Sequence, residues 1–301
     1  VQSPLLELER QFFPSPLTRI NEPFFTARKV ELWLKRDDLL HPIISGNKWR
    51  KLKYCLHHAL ALKKTTLISM GGAYSNHLHA LAFVGKTLSL QTKAFIRGEQ
   101  PAQLNPTLRD LVENGMELEF ISRSAYRQLR NFKAWDALPD LKSDAYWIPE
   151  GGATELALIG VGEILAEINQ DYNVLCTACG TATTLAGLIK AAPKEKQLLG
   201  FAALKGADFL NTDVHALLKN QSGLAKNWQL KLDAHCGGFG KTTPALLDFI
   251  RDFEQRQQIP LEPIYTGKML FALYGLIAEG FFPAGQKIIA LHTGGLQGKR
   301  R

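Results

Sequence analysis

Lys35-Arg36-Asp37-Asp38-Leu39, followed shortly by Ser45-Gly46-Asn47-Lys48-Trp49-Arg50-Lys51-Leu52, is the stretch that decides the fold. Residues 30–35 read as a short strand closed by charged side chains. Ser45 and Gly46 break it, and from Asn47 onward Leu52, Leu56 and Leu60 recur with helical spacing, with Asn47 as the expected N-cap. Lys48 then falls in the first helical turn, where the positive end of the helix dipole disfavours an ammonium. Lys51 lies three residues on, on the same face, and adds a second cation. A lysine that is neutral near pH 7 can attack an aldehyde and form a Schiff base. The plainer reading of the same residues is an exposed basic helix start.

Outward from this unit, strands and helices alternate. Strands are expected at 65–70, 91–96, 116–122 and 146–149, with helices at 75–86, 105–114 and 123–134. A second block follows, with strands at 173–177, 198–202, 228–235 and 287–292 and helices at 154–169, 183–191, 207–219, 243–257 and 267–279. Such alternation implies mostly parallel sheets covered by helices on both faces, hence two three-layer αβα units with a ligand at the C-terminal ends of strands. Gly151-Gly152 is the expected hinge of the crossover between them. Residues 1–25, with Pro4, Pro14, Pro16 and Pro23, read as an irregular lead-in.

Composition narrows the class. The 301 residues suggest about two domains, and 46% apolar with 21% charged residues is the profile of a globular enzyme. The net charge of +8 is dispersed apart from Lys299-Arg300-Arg301; a dispersed excess is weak evidence for nucleic acid and fits anionic small molecules, including a phosphorylated cofactor and amino-acid carboxylates, equally well. Cys55, Cys176, Cys179 and Cys236 are too few for a disulfide framework and favour a reducing compartment, with the cytoplasm as the default. We expect no signal peptide and no membrane span. His77 and His79 are two residues apart on one helix and face different ways, so no metal site is expected.

Several short motifs carry chemistry. Gly71-Gly72-Ala73-Tyr74-Ser75-Asn76-His77 follows a strand and opens a helix, placing side-chain donors at a positive helix end; its plainer reading is a turn with Ser75 as N-cap. Cys179-Gly180-Thr181-Ala182-Thr183-Thr184 does the same, and its small residues and hydroxyls make a phosphate cradle. It lacks the dinucleotide and ATP signatures. Cys176 and Cys179 form C-x-x-C, whose sharper alternative is a redox pair. Gly237-Gly238-Phe239-Gly240, Ile264-Tyr265-Thr266-Gly267-Lys268 and His292-Thr293-Gly294-Gly295 complete the set.

Taken in order, these motifs resemble the 1-aminocyclopropane-1-carboxylate deaminase and D-cysteine desulfhydrase family, pyridoxal phosphate (PLP) enzymes of fold type II, like the tryptophan synthase β subunit. The resemblance runs over about residues 14–296. It implies that 1–51 and 150–301 form a large cofactor-binding domain with a small α/β domain, 52–149, inserted. It implies that Lys48 carries the cofactor and removes the substrate Cα proton, that Ser75 holds the substrate carboxylate, and that Asn76 holds the cofactor's phenolic oxygen. The loop 179–184 would hold the phosphate, Tyr265 would stack on the ring and reach the substrate, and Thr266, with Thr293 nearby, would face the pyridine nitrogen. Tyr74, His77 and Phe239 would line the substrate side. Tyr74 replaces the family's usual Gln, Phe239 replaces a frequent Tyr, and the Arg-Gln that commonly follows the serine motif is missing. Deaminases tend to carry Glu and Leu where Thr266 and Thr293 stand, and desulfhydrases Thr at both. The implied activity is D-cysteine desulfhydration to pyruvate, hydrogen sulfide and ammonia, by a homodimer. The alternatives are the cyclopropane deaminase, a PLP-binding protein without turnover, and the C-x-x-C redox protein.

Overall fold

The computed structural model describes residues 3–219 and 227–300. Its strands are β1 (Leu17–Ile20), β2 (Glu31–Lys35), β3 (Thr66–Gly71), β4 (Gln91–Arg97), β5 (Met116–Ile121), β6 (Ala145–Ile148), β7 (Val174–Cys179), β8 (Gln197–Ala202), β9 (Trp228–Lys231) and β10 (Lys287–Leu291). They form a six-stranded sheet, ordered β1-β2-β10-β7-β8-β9, and a four-stranded sheet, ordered β5-β4-β3-β6. All neighbours are parallel except β1 and β2, which pair antiparallel with Leu17 opposite Lys35. The chain is α/β, with mostly parallel sheets.

The central strands are buried on both faces, which is why they read as apolar runs and not as alternating patterns. Along β7, Val174, Cys176 and Ala178 pack with Leu34, Ile288 and Phe201 on one face. Leu175 and Cys179 pack with Ile289, Leu291 and Ala202 on the other. Cys176 and Cys179 therefore point to opposite sides of a sheet, and burial pushes both thiols up, Cys179 to about 12. The C-x-x-C spacing is a strand spacing, and the redox reading is set aside.

Three expectations are corrected. The lead-in is ordered, with helices Pro4–Glu9 and Pro23–Arg28 flanking β1. Pro4 and Pro23 open those helices, where the missing N–H costs nothing, so two residues read as breakers are starters. The strand expected at 228–235 stops at Lys231, where the chain enters a run of turns that leads through Cys236, Gly237 and Gly238, all at positive φ. Asn47 does not cap its helix. Gly46 occupies the cap at φ 69°, and Asn47 is the first residue of the helix Asn47–Ala61.

The charged motif after β2 is buried. Lys35 is fully buried and donates to Glu167 at 2.5 Å, and Arg50 reaches Glu167 at 2.5 Å and Asp37 at 3.3 Å. Arg36 pairs with Asp38 at 2.7 Å. Buried pairs of this kind add little net stability but are costly to break singly. They fix the end of β2 against the helices Asn47–Ala61 and Glu155–Ala166, and so fix the loop that delivers Lys48. Among the described residues no helix is long and apolar enough to cross a membrane.

Candidate active site

The C-terminal ends of strands from both sheets meet at one cavity of about 440 Å³. Gly71 ends β3 and Arg97 ends β4, while Arg123, Glu150, Gly180, Leu204 and Thr293 follow β5, β6, β7, β8 and β10. Two helices aim their N-termini at it, Asn76–Thr87 from Ser75 and Thr183–Ala191 from the 180–182 loop. Lys48 enters from the first turn of its own helix, where its Nζ donates to Asn47 Oδ1 at 2.6 Å. Asn47 Nδ2 in turn donates to Thr184 Oγ1 at 2.8 Å, which ties the lysine's turn to the phosphate-cradle loop.

Burial pushes the Lys48 amine down to about 8, against the pull of Glu262. Lys51 faces the same cavity and is depressed well below its ordinary value, first by burial and then by Lys48. It is desolvation that lowers Lys48. The expected push from a second cation is not needed. Since only neutral amine attacks an aldehyde, cofactor uptake by cofactor-free protein should accelerate about tenfold per pH unit below roughly pH 7, and level off above about 8. Stopped-flow absorbance at fixed cofactor concentration measures this, and a flat profile would contradict it.

Ser75 Oγ accepts from Leu78 N at 3.2 Å and so caps its helix, leaving the hydroxyl proton to donate into the cavity. Asn76 is clamped from behind: Gln297 Nε2 donates to its Oδ1, and the loop at Gly295 closes on its Nδ2 so tightly that an added Cβ would lie 2.6 Å away. His77 is buried, with Nε2 2.9 Å from Ser69 Oγ. Ser69 donates its own proton to Ile148 O at 2.7 Å, so the His77 proton sits on Nε2. Its Nδ1 is left as a buried acceptor with no partner. Burial first, then Lys48 and Lys51, lower His77 to about 3, so it is neutral.

Tyr265 packs edge-on to Gly180, where an added Cβ would meet its ring at 2.6 Å. Burial raises its phenol. Its backbone N–H, with those of Ile264 and Thr266, donates to the buried Glu262 carboxylate at 2.5–3.0 Å, which caps the helix Thr266–Ala278. Phe239 and Tyr74 sit half-exposed at the mouth, Phe239 with its ring 5.9 Å from that of Tyr265. Thr266 is fully buried, 3.4 Å from the Thr293 hydroxyl, and only Thr293 of the two lines the cavity.

Of the residues singled out from sequence, Lys48, Tyr74, Ser75, Asn76, His77, Gly180, Thr181, Thr184, Phe239, Tyr265 and Thr293 line this one cavity. Cys179, Ala182, Thr183 and Thr266 stand behind its wall. Cys179 faces the sheet core, and Ala182 keeps a negative φ of −69°, a backbone conformation that accommodates its side chain. Sequence reasoning missed Arg97, Arg123, Arg130, Glu150 and Gln297, which come from the ends of separate elements and share no local pattern.

A lysine of lowered pKa, two helix N-termini, small residues that let backbone approach, and an unpartnered buried acceptor fit a phosphorylated aldehyde cofactor. The fold and this donor set define a fold-type-II enzyme of the pyridoxal-phosphate class. The chain belongs to the pyridoxal-phosphate dependent enzyme family, whose pattern it matches over residues 8–294. It is 29% identical over 313 residues to the Arabidopsis thaliana bifunctional D-cysteine desulfhydrase/1-aminocyclopropane-1-carboxylate deaminase, mitochondrial, with 95% of this chain and 77% of that protein covered. It is 26% identical over 318 residues to the 1-aminocyclopropane-1-carboxylate deaminase of Methylobacterium nodulans, covering 94% and 93%. A solved structure described as an ACC deaminase homologue superposes with a TM-score of 0.83 at 25% identity, covering 100% of this chain and 97% of that one.

Proposed function

We propose that this chain is a PLP-dependent lyase acting on a small amino acid, with D-cysteine as the substrate and pyruvate, hydrogen sulfide and ammonia as products. The observation that carries the choice is the pair of threonine hydroxyls, Thr266 and Thr293, 3.4 Å apart where a carboxylate would favour the deaminase. Bound PLP supplies an electron sink for charge developing at the substrate Cα. Lys48 would hold the cofactor, and its free amine would move the substrate Cα proton. Lys51, whose amine burial and Lys48 depress, would with the 180–184 loop offset the charge of a bound phosphate. The Ser75 hydroxyl and its helix N-terminus hold the substrate carboxylate. Asn76, oriented by Gln297, offers Nδ2 to the cofactor oxygen, and Tyr265 walls the cavity.

The same reading takes 52–149 as a small domain carrying the four-stranded sheet, a homodimer as the assembly, and the cytoplasm as the compartment, which the scarcity of cysteine supports. Cyclopropane deamination is the second reading, and the names of the relatives favour it. Ammonia release should be at least about tenfold faster, in kcat/KM, from D-cysteine than from 1-aminocyclopropane-1-carboxylate, a difference of about 1.4 kcal/mol. The reverse order selects the deaminase. Normal cofactor absorbance with no spectral response to either amino acid selects a binding protein.

A further inference from the structure

We propose that the site selects amino acids whose β-substituent is an anion, and that Arg97 and Arg123 recognise it. The inference deepens the lyase reading and rests on it. Five basic side chains line the cavity, Lys48, Lys51, Arg97, Arg123 and Arg130, against a single carboxylate, Glu150, among the described residues. Glu150 is already used: Arg130 Nε donates to Oε2 and the Tyr126 hydroxyl to Oε1, each at 2.6 Å. Neither Arg97 nor Arg123 forms an ion pair with any described carboxylate, and Arg97 instead lies 5.7 Å from the centre of the Tyr126 ring. The deep lysines and the helix N-termini would answer the cofactor phosphate and the substrate α-carboxylate. The two arginines at the mouth remain without a counter-charge.

Their position suits the far end of the substrate. Arg97 ends β4 beside the Gly72 turn that leads into Ser75, and its charge reaches Tyr265 across the cavity. A guanidinium there meets a planar or tetrahedral oxyanion with paired N–H donors, and it stabilises the charge that grows on a departing group. D-Cysteine as its thiolate is the smallest member of this class, and a phosphate ester is a larger one. For O-phosphoserine the Cα–H and Cβ–O bonds break and a Cα=Cβ bond forms. The ester oxygen leaves as inorganic phosphate with the bonding pair. The enamine then takes up one water and gives pyruvate and ammonium, with no oxidant required.

The test uses the holoenzyme and two independent readouts. Calorimetric binding should favour O-phosphoserine over serine, in at least one hand, by about tenfold or more. Pyruvate release should give a kcat/KM ratio of O-phosphoserine to β-chloroalanine that falls at least about tenfold in Arg97→Gln. Equal losses on both substrates in that variant, or O-phosphoserine binding no tighter than serine in either hand, would overturn the proposal. Selective binding with no pyruvate from any substrate would uphold the recognition of a β-anion and sink the lyase reading instead.

Discussion

Lys48→Ala should lose turnover by a factor of about 10³ or more, the size expected when a positioned acid–base group is removed. It should also lose the visible absorbance of lysine-bound cofactor. The protein should stay folded. Lys48 makes one side-chain hydrogen bond, to Asn47 Oδ1, and its amine is partly desolvated, so removal relieves as much as it costs. Lys48→Arg should fail equally, because a guanidinium keeps its proton throughout this pH range. The measurement is kcat with D-cysteine and with the cyclopropane substrate, beside an absorbance scan and a melting curve. Activity within tenfold of the parent would remove Lys48 from the centre of the site.

Gly46→Ala should be the most damaging single methyl in the molecule. The residue sits at φ 69°, and its added Cβ would fall 1.7 Å from Thr293 O and 2.2 Å from Thr293 C. Both obstacles are backbone, so neither can swing aside. Relief requires parting the loop after β10 from the turn that presents Lys48. We expect a loss of about 3 kcal/mol or more, read as a melting temperature lower by roughly 10 °C, with activity falling alongside. Gly275→Ala is the control: it lies in the helix Thr266–Ala278 with nothing within 4 Å of an added Cβ, and it should be neutral or slightly stabilising. Equal melting temperatures for the two variants would show that the Gly46 contact yields more easily than its geometry implies.

Gly46 also shows where sequence reading stops. The strand, the break and the helix around Lys48 were legible from residue spacing, because β2 and the helix Asn47–Ala61 each carry a local pattern. The capping assignment was not. Asn47 has the right side chain for a cap, but its amide is spent on Thr184, 137 residues away. Lys35, Arg36, Asp37 and Asp38 read only as charges closing a strand, yet all four are buried by partners such as Glu167 that no local window contains. The depressed Lys48 pKa was expected, but from the helix dipole and a neighbouring cation, whereas burial lowers it. The arginines of the mouth were invisible for the same reason: each ends or follows a different strand or helix, and only the convergence of two sheets makes them a group.

That convergence builds the site from two layers. Lys48, the 180–184 loop, Tyr265 and Thr293 belong with the six-stranded sheet, while Tyr74, Ser75, Arg97 and Arg123 belong with the four-stranded one. On the proposed reading, Lys48 and the 180–184 loop on one wall would keep the coenzyme, with Asn76 reaching it from the other, where Tyr74, Arg97 and Arg123 would screen the guest. Sequence drift at Tyr74, Arg97, Arg123 and Arg130 would therefore retune which amino acids are admitted while Lys48, Ser75 and Asn76 stay as they are, and chains sharing this architecture could diverge in diet without reinventing the reaction.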